Sequence, residues 1–261
     1  MIDLNADLGE GVSGDAGMDP ALLDELLLRE VTSANVACGG HAGDDASMSR
    51  VCRRAVELGV AIGAQVSYVD RAGFGRTRLD VAPGTLVAQL VDQVAALRGH
   101  ASDAGGAVAY LKPHGALYNA AADDAVVARA VVDAVLADAA RTGAALPVLT
   151  LPGSVLAAIA AERGIAVVAE AFADRAYTAA GRLVPRSAEG ALIHDESEVV
   201  ARVVRLATER LVRSVDGVDV VVDARSLCLH SDTPGAARTA ARVRRALREA
   251  GVEVGPFAAT P

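Results

Sequence analysis

Ile2-Asp3-Leu4-Asn5-Ala6-Asp7, running into Gly9 and Glu10, is the stretch that decides how this chain folds. Apolar and polar residues alternate in it, and it stops at a turn that carries a carboxylate. Alternation places Asn5 and Asp7 on the same side of a strand. Six further runs end in the same way. Residues 31–36 lead to Cys38-Gly39-Gly40-His41, residues 60–64 to Gln65, and residues 107–111 to Lys112-Pro113-His114. Residues 148–151 lead to Pro152-Gly153, residues 165–169 to Glu170, and residues 226–229 to His230-Ser231-Asp232. In parallel α/β architectures the carboxyl ends of the strands face one crevice, where ligands and catalytic groups gather. Seven runs of one polarity therefore imply one shared site.

Helical patterns fill the intervals. Residues 20–29 open with Asp19 as N-cap and Pro20 at the first helical position. Residues 45–58 place Met48, Val51, Cys52, Ala55 and Val56 at helical spacing, with Asp44 as the cap. Residues 83–104, 123–142, 153–163, 195–215 and 233–250 complete the predicted set. Two stretches break the alternation: residues 67–83, carrying Gly73-Phe74-Gly75-Arg76, and residues 171–189, carrying Asp174, Arg175, Tyr177 and Arg182. Long loops in a compact domain are commonly functional, and these hold charged and aromatic groups, so they read as active-site lids. The expected fold is a single-domain seven-unit (β/α) barrel over residues 1–261, a smaller relative of the TIM barrel. An open doubly wound sheet is the alternative. Its dinucleotide loop is missing, because Gly9-Glu10-Gly11 lacks the third glycine at the required spacing.

Composition narrows the function. The chain has 261 residues, 52% hydrophobic, with 3% aromatic and no Trp, which leaves little for base stacking. A formal net charge of −8 argues against non-specific binding to nucleic acid or to an anionic membrane. Cys38, Cys52 and Cys228 form no CxxC pair, so neither a zinc ribbon nor a disulfide framework is indicated. No apolar stretch reaches the roughly 18 residues of a membrane span, and Asp3 and Asp7 interrupt any leader-like segment. The cytoplasm is the expected compartment. Lys112 is the only lysine among 25 basic residues. A compact ammonium is chemically distinct from the guanidinium this chain uses elsewhere.

Several strand endings carry usable chemistry. Lys112 offers a point charge for an anion, and His114 can transfer protons or bind metal. Asn5 and Asp7 point inward from a strand, where an unpartnered carboxylate is expensive. His41, after two glycines, suits a base, an anion contact or a metal ligand. Glu170, Asp174, Arg175 and Tyr177 suit carboxylate recognition and acid/base work, since Arg grips carboxylates in bidentate fashion. His230 and Asp232 are placed to form a His–carboxylate pair, although Asp232 also suits a helix cap. His100 and His194 lie away from strand endings and read as surface or helix-cap residues. No HxH or HExxH spacing, G-x-S-x-G elbow or P-loop is present, so any ATP used is not held by a Walker A loop of this chain.

With these residues in view, the chain resembles the LamB/YcsF family of prokaryotic ATP-dependent 5-oxoprolinase A subunits. The resemblance rests on DLNADLGEG (3–11), SANVACGGHAGD (33–44), GFGR (73–76) and LKPHGALYN (111–119). EAFADRAYTAAGRLVPRS (170–187) and CLHSDTPGA (228–236) complete the series in family order. It implies a barrel similar to that of polysaccharide deacetylases. It also implies ATP-dependent opening of the lactam of 5-oxo-L-proline to L-glutamate, with partner subunits B and C. Carried over by position, Asp7, His41, Lys112 and His114 are the expected catalytic residues. Asn5, Glu170, Arg175, His230 and Asp232 are expected to bind substrate. Where the family reads GAHPSYPD, this chain has Gly63 to Asp70 with Gln65 in place of a His. Gly40 stands for a usual Phe, and Ser231 for a usual Gly. A Gln amide cannot shuttle protons and is a poor transition-metal ligand. The expectation is therefore ATP, with Mg accompanying it, and no metal held by the protein itself. Two other readings stay open: a metal-dependent amide or carbohydrate deacetylase using Asp7, His41, His114 and His230, and a non-catalytic substrate-binding subunit.

Overall fold

Seven parallel strands close into a barrel in the computed structural model, which describes residues 1–186, 188–258 and 260. Ser187, the last residue of one family-like stretch, lies outside the described residues. In chain order the elements are β1 (Asp3–Leu8), α1 (Pro20–Leu28), β2 (Ser33–Ala37), α2 (Asp45–Leu58), β3 (Ala61–Val66) and α3 (Pro83–Asp103). There follow β4 (Val108–Pro113), α4 (Gly115–Asp123), α5 (Ala125–Thr142), β5 (Val148–Thr150), α6 (Val155–Glu162) and β6 (Val167–Phe172). The chain ends with α7 (Glu196–Glu209), β7 (Leu211–Arg213), β8 (Asp219–Val221), β9 (Ser226–Leu229) and α8 (Ala236–Glu249). The barrel order is β1-β2-β3-β4-β5-β6-β9, with β9 pairing both β1 and β6. The doubly wound alternative is therefore excluded.

Each strand turns one face to the helices and the other to the barrel axis. On β1, Leu4, Ala6 and Leu8 join the main apolar core, while Asp3, Asn5 and Asp7 point inward. The axis of this barrel is polar, unlike the branched aliphatic layers usual in such folds. Its lowest layer holds Asp3, which accepts from Thr32 and Ser33 at 2.6 Å each and from Ser226. Above it lie Asn5 and Asn35, joined at 2.6 Å, with the Tyr110 hydroxyl donating to Asn35 at 2.7 Å. Tyr110 crosses the axis over Gly63, where a Cβ would fall 2.1 Å from the ring. The C-terminal segment closes the lower end: Phe257 meets Tyr110 edge-on at 4.8 Å, and Val254 bridges to Ile2.

Local signals set most helix starts. Asp19 caps α1 ahead of Pro20, and Asp44 with Ser47 forms a reciprocal capping box on α2. The structure corrects four boundaries. Residues 115–123 form α4, which is absent from the predicted set of helices. The helix expected over 195–215 ends at Arg210 in a left-handed conformation, and an antiparallel β7–β8 hairpin follows. The last helix begins at Ala236 behind Gly235, so Asp232 is not its cap. Glu170, expected just past a strand end, lies inside β6 in register with Ser226. Among the described residues, no helix is long and apolar enough to cross a membrane.

Candidate active site

The upper strand ends surround a cleft of about 730 Å³. Asp7, Glu10, Lys112, His114, Arg175, His230 and Asp232 line it. Asn5, His41 and Glu170 lie fully or almost fully buried behind that lining.

Lys112 stands at its floor. Residues 112 and 114 are two apart near the end of β4 and so share the inward face. The Lys112 ammonium lies 2.7 Å from Glu170 Oε1, 3.4 Å from Asp7 Oδ1, 3.1 Å from Asn5 Oδ1 and 3.2 Å from Cys228 Sγ. Burial alone would lower its pKa, but Asp7, Cys228 and Glu170 together raise it well above the ordinary lysine value. Burial pushes Asp7 up, and the charges of Lys112 and then His230 outweigh it, holding the Asp7 carboxyl below the usual range. Asn35 also donates to Asp7, at 2.8 Å. A single lysine among arginines thus marks a fixed positive charge at the bottom of the cleft.

A second cluster is built on the turn after β1. Gly9 has φ +73°, and its N–H donates to Asp24 Oδ1 at 3.1 Å, which turns Glu10 back over the barrel. Glu10 Oε1 lies 3.0 Å from His41 Nε2 and 3.6 Å from His114 Nδ1. The two imidazoles stack with centroids 3.7 Å apart and planes 8° from parallel. Outer partners orient both rings. Ser67 Oγ donates to the Tyr68 carbonyl at 2.9 Å, so it accepts from His41 Nδ1–H at 3.1 Å. The Phe74 carbonyl accepts from His114 Nε2–H at 3.2 Å, and Gln65 Nε2 donates to His114 Nδ1 at 3.0 Å. Burial, and then the neighbouring His41, push His114 down to about 3, so it is neutral at physiological pH. Burial and the nearby Asp7 and Asp232 raise Glu10, against the hydrogen bond from His41.

The third group faces these across the cleft. His230 Nδ1 donates to Asp174 at 2.7 and 2.9 Å, so its carboxylate partner is Asp174 and not the expected Asp232. Burial would lower His230, but the Asp174 carboxylate wins and raises it. Arg175 is 6% exposed; its Nη2 donates to the Val184 carbonyl at 2.7 Å, while its Nε has no partner among the described residues. Burial and the nearby Arg186 lower its pKa. Asp232 Oδ2 accepts from Arg76 at 2.5 Å and from Arg186 at 2.7 Å, tying the two loops together across the end of β9. Phe74 has the left-handed φ of +53°, rare for a bulky residue, and its ring packs edge-on to both His41 and His114. Gly75 (φ +63°) and Gly115 (φ +58°) bring that loop against β4: a Cβ on Gly115 would meet the Gly75 carbonyl oxygen at 2.5 Å.

Sequence reasoning places Asp174 in a loop suited to carboxylate recognition and acid/base work, names Glu10 at a strand ending without giving it a role, and misses Asn35 and Ser67. Only Glu10 and Asp174 carry a signal, as carboxylates next to strand ends. Asn35 and Ser67 look like ordinary strand and turn residues until the barrel closes.

Comparison with known proteins points one way. The LamB/YcsF family model matches residues 2–261. A 5-oxoprolinase A subunit from Streptomyces coelicolor is 58% identical over 258 residues, covering 99% of this chain and 100% of that protein. One from Streptomyces griseus subsp. griseus is 56% identical with the same coverage. The crystal structure of a lactam utilization protein from Thermus thermophilus is similar with a TM-score of 0.88 and 39% identity, over 98% of this chain and 99% of that one.

Proposed function

The chain belongs to the LamB/YcsF family, and from that premise we propose that it acts as the A subunit of a 5-oxoprolinase, the hydrolytic component that opens 5-oxo-L-proline to L-glutamate. A five-membered lactam is resonance-stabilised, and coupling to ATP drives its opening. In balanced form, the terminal phosphoryl group of ATP passes to the lactam oxygen, leaving ADP. Water adds to the activated carbon, the ring C–N bond breaks, and the nitrogen takes a proton. A second water then releases phosphate and leaves glutamate. The nucleotide is assigned to the assembly with partner subunits B and C, with no phosphate loop required of this chain.

The observation that carries this reading is the lone Lys112 ammonium, fixed between Asp7 and Glu170 at the floor of the cleft. A preorganised cation there meets negative charge as it develops on the lactam oxygen, at no reorganisation cost. Arg175, buried and with no carboxylate in ion-pair distance among the described residues, is the grip for the substrate carboxylate. The Glu10–His41–His114 cluster takes the proton from attacking water, and His230, whose pKa the paired Asp174 carboxylate raises, supplies one to the departing nitrogen. Asp7 keeps the ammonium aligned. Asn5 and Glu170 support it from behind rather than touching substrate.

The test is production of glutamate from 5-oxoproline and ATP by this chain with and without subunits B and C. Turnover only in the full mixture, and abolished by Lys112→Ala, supports the proposal. ATP-independent release of acetate from N-acetyl sugars would replace it with the deacetylase reading.

A further inference from the structure

Asn35 lies on β2 in register with Asp7 of β1, and it is wholly buried. Its partners fix which way the amide faces. Toward the Asp7 carboxylate it presents N–H, because its own oxygen there would set acceptor against acceptor. Nδ2 then donates twice, to Asp7 Oδ1 at 2.8 Å and to Asn5 Oδ1 at 2.6 Å. The Asn35 oxygen accepts from the Tyr110 hydroxyl at 2.7 Å. Lys112 Nζ meets the same two oxygens, Asn5 Oδ1 at 3.1 Å and Asp7 Oδ1 at 3.4 Å. One buried amide and one buried ammonium therefore share a single pair of acceptors.

That sharing decides where the ammonium stands. An ammonium–carboxylate pair closes to about 2.7–2.9 Å when nothing competes, and Lys112 does so with Glu170 at 2.7 Å. Toward Asp7 it stops at 3.4 Å, at an oxygen that Asn35 already occupies. We propose that Asn35, with Tyr110 behind it, is the positioning residue of this site: it holds Asp7 and Asn5 so that the Lys112 ammonium does not collapse onto Asp7. Neither Asn35 nor Tyr110 lines the cleft, so both act through other side chains rather than on substrate. The support spans the barrel. Tyr110 reaches Asn35 from β4 across Gly63 of β3, where a Cβ would fall 2.1 Å from the ring. An ammonium held short of its counter-ion keeps its charge aimed at an incoming oxygen, which is the preorganisation that such catalysis uses.

This inference rests on reading Lys112 as the cation of the lactam site, but one arm of its test reads geometry without turnover. Lys112 is the only lysine, so the full chain grown on isotope-labelled lysine gives a single side-chain NMR spectrum. The variants are Asn35→Leu, which removes the clamp, and Tyr110→Phe, which removes only the hydroxyl behind it. Ser33→Ala is the control, since it loses a buried bond of 2.6 Å to Asp3 deeper in the same barrel. In wild type and Ser33→Ala the two Lys112 Cε protons are inequivalent, as in a side chain held in one geometry. They merge in Asn35→Leu and draw together in Tyr110→Phe. In the assay with subunits B and C, Asn35→Leu lowers kcat by up to about 10²-fold, the cost of a misplacement of roughly 1 Å. Tyr110→Phe lowers it by less, Ser33→Ala leaves it unchanged, and KM for 5-oxoproline stays at the wild-type value in all three. A folded Asn35→Leu protein with the wild-type Lys112 spectrum or wild-type kcat overturns the proposal, as does an equal loss of kcat in Ser33→Ala. Should Asn35→Leu not fold, the same wild-type results from Tyr110→Phe overturn it. Absence of glutamate from the wild-type assembly would remove the lactam reading and leave the Lys112 spectra to decide this one.

Discussion

An ammonium removed from water persists only beside negative charge, and Lys112 has carboxylate oxygens of Glu170 and Asp7 at 2.7 and 3.4 Å. Removing the cation leaves two buried carboxylates without it. Lys112→Met should therefore lower stability by about 3–5 kcal/mol, measured by urea unfolding. Glutamate production should fall by at least about 10²- to 10³-fold, as for loss of an oxyanion contact. Asp3, deeper in the barrel, gives a pH signature. Burial, opposed in part by hydrogen bonds from Ser226, Ser33 and Thr32, raises its carboxyl from 3.8 to about 6. A carboxyl whose folded pKa exceeds its unfolded value contributes stability that is complete below about pH 4 and lost as pH rises through 6. Asp3→Asn should thus gain on wild type between about pH 4 and 7, by up to about 3 kcal/mol. Urea midpoints across that range check it, and parallel midpoints would count against it.

The two long loops meet at Asp232, whose Oδ2 accepts from Arg76 and Arg186 at once. These pairs are partly solvent-exposed, so Asp232→Asn should cost no more than about 1 kcal/mol of global stability. Its effect belongs to loop order: faster proteolysis within 70–82 and 174–192, and a raised KM. Gly115→Ala should act differently, because the new Cβ meets the Gly75 carbonyl oxygen and φ is +58°. It should displace the Gly73–Arg76 loop from His114, lowering turnover and stability together, read by kcat and thermal unfolding. The loops are visible in the sequence because both lack helical periodicity yet carry charge. Helix α4 is not, since it starts at the end of β4 behind His114 with no side-chain cap bond. The β7–β8 hairpin has a signal in Asp216-Gly217, a turn pair between apolar runs, but the preceding helical pattern obscures it. Pairings such as His230 with Asp174 and His41 with Glu10 join residues 56 and 31 apart. Barrel closure creates them, and spacing along the chain cannot.

At the scale of the molecule, seven strands in simple order bring Asp7, Lys112, His114 and His230 to one mouth, while Phe257 and Val254 close the other end. That architecture is legible because each strand is apolar up to a polar ending. The polar column beneath the mouth is less so, since Ser33, Asn35 and Ser226 acquire meaning only once stacked on Asp3 and Asn5. The central claim is that this cleft, with Lys112 at its floor, opens the lactam of 5-oxoproline. The most direct measurement is glutamate formed from 5-oxoproline and ATP by the chain with subunits B and C, wild type beside Lys112→Met, both verified as folded. The account predicts steady glutamate production from wild type and none above background from the variant. Wild-type rates from a folded Lys112→Met protein would contradict it.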